Sequence, residues 1–211
     1  MWSVLIFIPG CQSAYDTTME TFGRQKKDTL VNHVAAAREA QSQAKEQFAA
    51  ALDEFRGVVG YKGTLLDEKY KEIKTQYDRC EAQTRTVESR VEDVRKAAKS
   101  LFRQWEDELD QYSSSVVRKS SEEKLKQTRL RYETVIYAME KVRDKFYPAL
   151  AAFKDQVLLL RHNLNASGKV SPGGGLEIAE KEISLLIQEI DRSMAESDSF
   201  IRQMQLDQIR P

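Results

Sequence analysis

Between Leu66 and Tyr112 the chain repeats one pattern for nearly seven heptads. Apolar or small residues fall at steps of alternately four and three: Leu66, Tyr70, Ile73, Tyr77, Cys80, Thr84, Val87, Val91, Val94, Ala98, Leu101 and Trp105, with Tyr112 one step after Glu108. A mean step of 3.5 keeps one stripe on one side of an α-helix. A strand would alternate with period two, so this pattern excludes it. At 1.5 Å per residue the helix would be about 70 Å long. Such a helix cannot bury its stripe alone, so the pattern demands partner helices.

The rest of the chain supplies them. Leu30, Val34, Ala37, Gln41, Ala44, Phe48, Ala51, Phe55 and Val58 follow the same rhythm, with only Gln41 polar. Asp28 is placed to cap this helix, and Gly57, Gly60 and Gly63 to end it. Ser113, Ser114 and Ser115 break the second helix, and Ser120 with Glu123 forms a capping box for a third. Its stripe reads Leu125, Thr128, Tyr132, Val135, Met139, Val142, Phe146, Ala149 and Phe153. It widens after Tyr132 to take in Ile136, Leu150, Val157 and Leu158, which implies more than one neighbour. Pro148 should kink this helix rather than end it. Asn165 to Gly175 is a linker by composition. A fourth helix carries Ala179, Ile183, Leu186, Ile190, Phe200 and Met204, with Ser193 and Ser197 weakening its stripe.

These readings give an all-α fold, an elongated antiparallel four-helix bundle or coiled coil. Helices are expected at about 29–58, 65–112, 121–165 and 176–207, in one domain spanning 29–208. The loops near 60 and 170 share one end. At the other end helices 2 and 3 are expected to project as a two-stranded hairpin. From Arg118 to Lys145 nine basic residues stand against five acidic ones, and from Leu176 to Asp207 three stand against eight. Those opposite signs favour packing helix 3 on helix 4, although each exposed pair contributes well under about 1 kcal/mol.

Residues 1–10 are of a different character. Trp2, Val4, Leu5, Ile6, Phe7 and Ile8 lead into Pro9, Gly10 and Cys11. The run is too short to span a bilayer, which takes roughly 20 residues. It looks like the apolar end of a signal peptide. Ile8-Pro9-Gly10-Cys11 resembles the bacterial lipoprotein cleavage box, which implies a cut before Cys11 and a lipid on Cys11. Pro9 and the lack of a preceding Lys or Arg depart from that box, and a start assigned too far downstream would account for the missing basic residues. Gln12 after the cysteine implies the outer membrane. Residues 11–28 then read as a polar tether with a helical turn or two near Tyr15 to Phe22, and the mature protein as periplasmic. The alternative is a cytoplasmic chain with an apolar tail.

No residue constellation points to catalysis. Gly173, Gly174 and Gly175 lack the Lys-Ser/Thr of a phosphate loop. His33 and His162 stand far apart without further ligands, so no metal is expected, and no cofactor either. Glu106, Asp107, Glu108 and Asp110 fall on outer helix positions as a solvated face. Cys80 on the stripe reads as a packed thiol. Arg118, Lys119, Lys124, Lys126, Arg129 and Arg131 form the best candidate for binding nucleic acid, but nearby acids balance them. With 33 basic and 33 acidic residues in all, the chain has no global field to attract it. The expected function is therefore non-catalytic: structure, spacing or interaction with a protein partner. Trp105, Tyr112, Arg118 and Lys119 mark a candidate interaction tip. Serine and alanine positions on outer seams would admit a second copy of the chain.

Four stretches carry a more specific resemblance: Gly10 to Tyr15, Ala44 to Phe48, Trp105 to Ser114 (WEDELDQYSS) and Ala152 to Ala166 (AFKDQVLLLRHNLNA). With them the chain resembles the uncharacterised proteobacterial coiled-coil lipoproteins grouped as domain of unknown function 2959. The resemblance implies lipid attachment at Cys11. It implies no activity, substrate or catalytic residue.

Overall fold

The computed structural model describes residues 12–58, 66–166 and 175–209, with side chains described over 25–58, 67–162 and 175–207. Four helices account for nearly all of it: α1 (Gln12–Val58), α2 (Leu66–Leu109), α3 (Ser115–Ala166) and α4 (Gly175–Ile209). Each helix packs on two neighbours, in the order α1, α2, α3, α4 and back to α1. This is a helical bundle.

Cross-helix pairs give the direction of each neighbour. Lys26 of α1 donates to Ser100 of α2, and Gln47 to Gln76. Glu106 and Glu88 of α2 meet Arg129 and Tyr147 of α3. Arg38, Lys45 and Arg56 of α1 meet Asp198, Asp191 and Glu180 of α4. In every case one number rises as the other falls, so adjacent helices are antiparallel. Across the core, α1 and α3 meet through Phe48 and Phe146, with ring centroids 5.7 Å apart.

Most buried residues are those that the four-three rhythm selects; Ala40 and Leu52 of α1 and Phe102 and Leu109 of α2 are buried beside the stripe, and Tyr70 and Tyr77 on it are half-buried. All nine stripe positions of α1 are buried, Gln41 included. On α4 Ala179, Ile183, Leu186, Ile190, Ser193, Ser197, Phe200 and Met204 are buried. On α3 the widened stripe is buried at Leu150 and Val157, and Leu160 takes the place expected for Leu158, which is exposed. The helix runs on through Pro148. Acidic residues at the start of α2 (Asp67 and Glu68) and Arg56 at the end of α1 oppose the partial charges of the helix termini.

Three boundaries and the expected hairpin differ from expectation, for physical reasons. The segment read as a tether, 12–28, is the first part of α1. Gly23 costs a helix only about 1 kcal/mol, and Lys26 and Lys27 find partners on α2. α2 stops at Leu109 rather than Tyr112, closed by a bond from the Gln111 amide to the Glu108 carbonyl. α3 begins at Ser115, six residues before the expected start at 121. Its cap is Ser114, whose carbonyl accepts from the Arg118 amide at 3.0 Å. The expected two-stranded hairpin is also altered. α1 runs alongside the end of α2, so the part of the bundle beyond α4 holds three helices.

The charges act through other partners than net signs suggested. α4 does pack on α3, where Arg131 pairs with Asp207. Most of its cross-helix ion pairs, however, go to α1. Net charge over a segment ignores which face each residue occupies, and the acids of α4 face α1.

Candidate interaction tip

The tip is built where α2 ends, the chain turns through residues 110–114 and α3 begins. Trp105 lies inside it rather than on it, only 8% exposed. Its indole Nε1 donates to Ser121 Oγ at 2.9 Å, and Lys27 Nζ sits 4.3 Å from its ring centroid. Three helices thus converge on one side chain: α2 supplies it, α3 satisfies its polar atom and α1 covers its face with a cation. One turn deeper, Phe102 meets Tyr132 edge-on at 5.4 Å and carries Arg129 at 5.1 Å.

The other proposed tip residues face outward. Tyr112 is exposed, and so is Lys119. Arg118 is exposed but engaged, bonding Glu122 at 3.0 Å and Asp110 at 3.2 Å across the turn. The bond to Glu122, with Asp110 close by, raises its pKa further above the usual range. It works as a clasp between α3 and the turn that follows α2. Sequence reasoning passed over Val116 and Val117, exposed on the first turn of α3. Two consecutive valines directly after a serine cap cannot both face a core, and that signal was available.

Beside the tip lies an open groove of about 260 Å³, floored by Leu109, Leu125 and Leu130 and rimmed by Glu122, Lys126, Arg129 and Glu133. It runs along the side of α3 that meets α2, where Arg129 pairs with Glu106. Asp207 meets Arg131, and α4 ends two residues later, so α3 before about residue 129 has no α4 beside it.

Elsewhere the candidate chemistry is quiet. No cluster of His, Cys, Asp and Glu suited to a metal occurs among the described residues. His33 is half-buried and His162 exposed. Cys80 is fully buried. Burial pushes its thiol up to about 12, against a weak bond to the Gln47 carbonyl. Of the basic cluster, Arg118, Arg129 and Arg131 are held by Asp110 and Glu122, by Glu106 and by Asp207 respectively. No described helix is long and apolar enough to cross a membrane. Cys11 lies outside the described residues.

With this geometry in hand, comparison with known proteins gives one match. The family model described as a protein of unknown function (DUF2959) matches residues 15–204. The chain belongs to that family. No curated protein and no solved structure matches it. The DUF2959 match takes in α1 from Tyr15, the whole tip and α4 as far as Met204. The family is therefore defined over the full bundle rather than over one helix pair.

Proposed function

We propose that this chain is a non-catalytic coiled-coil protein of the bacterial envelope, lipid-anchored through Cys11, that works as a spacer or as a rod presenting its α2–α3 tip to a protein partner. The observation that carries this is the continuity of α1. The helix starts at Gln12, directly after Cys11, and runs unbroken into the bundle. An anchor on Cys11 would therefore be coupled to a stiff helix and not to a loose tether. Lys27 on Trp105 puts the start of α1 at the tip end of the bundle. On this reading the tip lies toward the membrane and the α1–α2 connection away from it. The four-three spacing of the buried residues is the seam of a coiled coil, and the protein would reside in the periplasm at the outer membrane.

Metabolic labelling with a fatty acid tests the anchor. The wild-type chain should take the label and Cys11→Ser should not. No label on the wild type, or label that survives the substitution, overturns the reading. A cytoplasmic protein bound to a partner or to nucleic acid is the rival. The engagement of Arg118, Arg129 and Arg131 counts against phosphate binding, since each would have to leave a carboxylate first.

A further inference from the structure

Midway along the seam between α1 and α4, polar side chains stand where the stripe calls for apolar ones. Gln41, Ser193 and Ser197 are each 0% exposed. Ser197 Oγ donates to the Ser193 carbonyl at 2.8 Å. Among the described residues no group bonds either amide atom of Gln41 or the hydroxyl of Ser193. The flanking ion pairs place these groups together. Arg38 meets Asp198 and Lys45 meets Asp191, each at 2.6 Å, so position 41 of α1 lies level with the stretch from 193 to 197 of α4.

Those two ion pairs do not fix the register by themselves, and the third α1–α4 pair, Arg56 with Glu180, does not repeat but is partly exposed and contributes little. Arg38 and Lys45 are seven residues apart, and so are Asp191 and Asp198. If α4 slipped by one heptad, Lys45 would meet Asp198 in one direction, or Arg38 would meet Asp191 in the other. The apolar stripes repeat with the same period and would also tolerate the slip. The polar groups do not repeat. A slip would set Gln41 level with Phe200 and Met204, or with Leu186 and Ile190. An amide sealed against purely apolar surface loses hydrogen-bonding options that two serines offer directly or through a shared water.

We propose that Gln41, together with Ser193 and Ser197, sets the register of α4 on α1. It thereby sets how far α4 reaches along α3 at the tip end. A one-heptad slip toward the tip moves α4 by about 10 Å. That would lay its last turns along α3 before Arg131, on a stretch that α4 leaves uncovered in this arrangement. The device costs stability and gains a single arrangement, as a lone buried polar residue does in other helical seams.

Distance measurement between spin labels on the full chain tests this. Labels go on Ala35→Cys and Ser184→Cys, both on exposed sites, in a Cys11→Ser background. Cys80 is buried and remains unlabelled. The parent should give one distance. Gln41→Leu should melt at the same temperature or a few degrees higher, and should add a second population displaced by about 10 Å. A single, unshifted distance in Gln41→Leu overturns the proposal, whatever the melting temperature. Should that variant fail to fold, Ser193→Ala with Ser197→Ala decides on the same criterion, because it leaves Gln41 facing only methyl groups.

Discussion

The two ends of the bundle use aromatic residues in different ways. Toward the α1–α2 connection, rings meet rings: Phe48 on Phe146 at 5.7 Å, Tyr77 on Phe153 at 5.9 Å, and Phe55 on Phe153 at 6.3 Å. There four helices surround the core and these rings pack on one another, while the exposed Tyr137 carries Lys141 on the outer face. At the tip, rings also meet cations: Trp105 carries Lys27, and Phe102 carries Arg129. With α4 gone, there are not enough helices to close the core with hydrocarbon, and long basic side chains cover it instead. The first end is built for stability. The second is covered by Lys27 and Arg129, side chains that a partner at the proposed tip would have to displace.

The strongest test of this contrast is one substitution at each end. Phe146 is fully buried, and Phe146→Ala should cost about 3–5 kcal/mol through lost burial and the cavity left behind. Val116 is 77% exposed, and Val116→Ala should stay within about 0.5 kcal/mol. Chemical denaturation measures both. Equal costs would remove the distinction between a stabilising end and a presenting end.

Trp105 sits between these extremes. Trp105→Phe keeps a ring in the site but loses the indole bond to Ser121. The expected cost is about 1 kcal/mol, with a further fraction from the weaker attraction of Lys27 to phenyl. The same variant should lower affinity for any partner of the tip by less than Tyr112→Ala does, because Trp105 supports that surface from within while Tyr112 forms part of it. If Trp105→Phe proves stability-neutral, the three-helix convergence at the tip contributes nothing.

Thiol chemistry separates buried stripe from tip in another way. Cys80 should resist a disulfide reagent at pH 8 until the protein unfolds, whereas a cysteine introduced by Val116→Cys should react at once. The pH dependence has a definite sign. The folded thiol, at about 12, lies above the unfolded value near 9, so the unfolded chain gives up its proton first. The contribution of Cys80 to stability is therefore intact below about pH 9 and is lost as pH rises toward 12. Cys80→Ala should flatten that fall. If the two proteins lose stability in parallel over this range, another group is responsible.

Much of this was legible in the sequence because one physical rule governs most of the chain. The four-three rhythm identified every described buried position of α4 and all of those of α1 but Ala40 and Leu52, since burial in a bundle follows helical periodicity directly. It identified Gln41, Ser193 and Ser197 as interruptions without showing that they lie level. That requires the alignment of two helices whose sequences are 150 residues apart. What failed was local. The start of α3 was read from a capping box at Ser120, but Ser114 does the capping. The box was a plausible cap that simply falls inside a helix, where Ser120 and Glu123 are unremarkable. The segment 12–28 was read as a tether because its apolar residues are sparse and basic ones cluster at 24–27. Those lysines turn out to serve α2, a use that local sequence does not reveal. Trp105 was read as a seam residue, with a place on a binding surface as the second reading for its size and position. Its burial bears out the seam, and the cover that α1 adds through Lys27 was hidden by the reading of 12–28 as a tether.

The smallest expected effect asks whether charge contributes to the difference between the ends. Lys45 and Asp191 pair at 2.6 Å on the α1–α4 seam, and Arg129 and Glu106 at 2.7 Å near the tip, all partly or largely exposed. Pairs this exposed gain little Coulomb energy and lose side-chain freedom, so Lys45→Gln and the corresponding loss of the Arg129 pair should each cost about 0.5 kcal/mol. The cost should shrink in 1 M salt, where the screening length falls to about 3 Å. Measured by double-mutant cycles, the two coupling energies should agree within error. Agreement would leave apolar packing as the sole source of the contrast. A coupling several times larger at the tip would mean instead that Arg129 derives its hold from Phe102 and Glu106 together. The tip would then be a cooperative charged cluster rather than a thinly covered core.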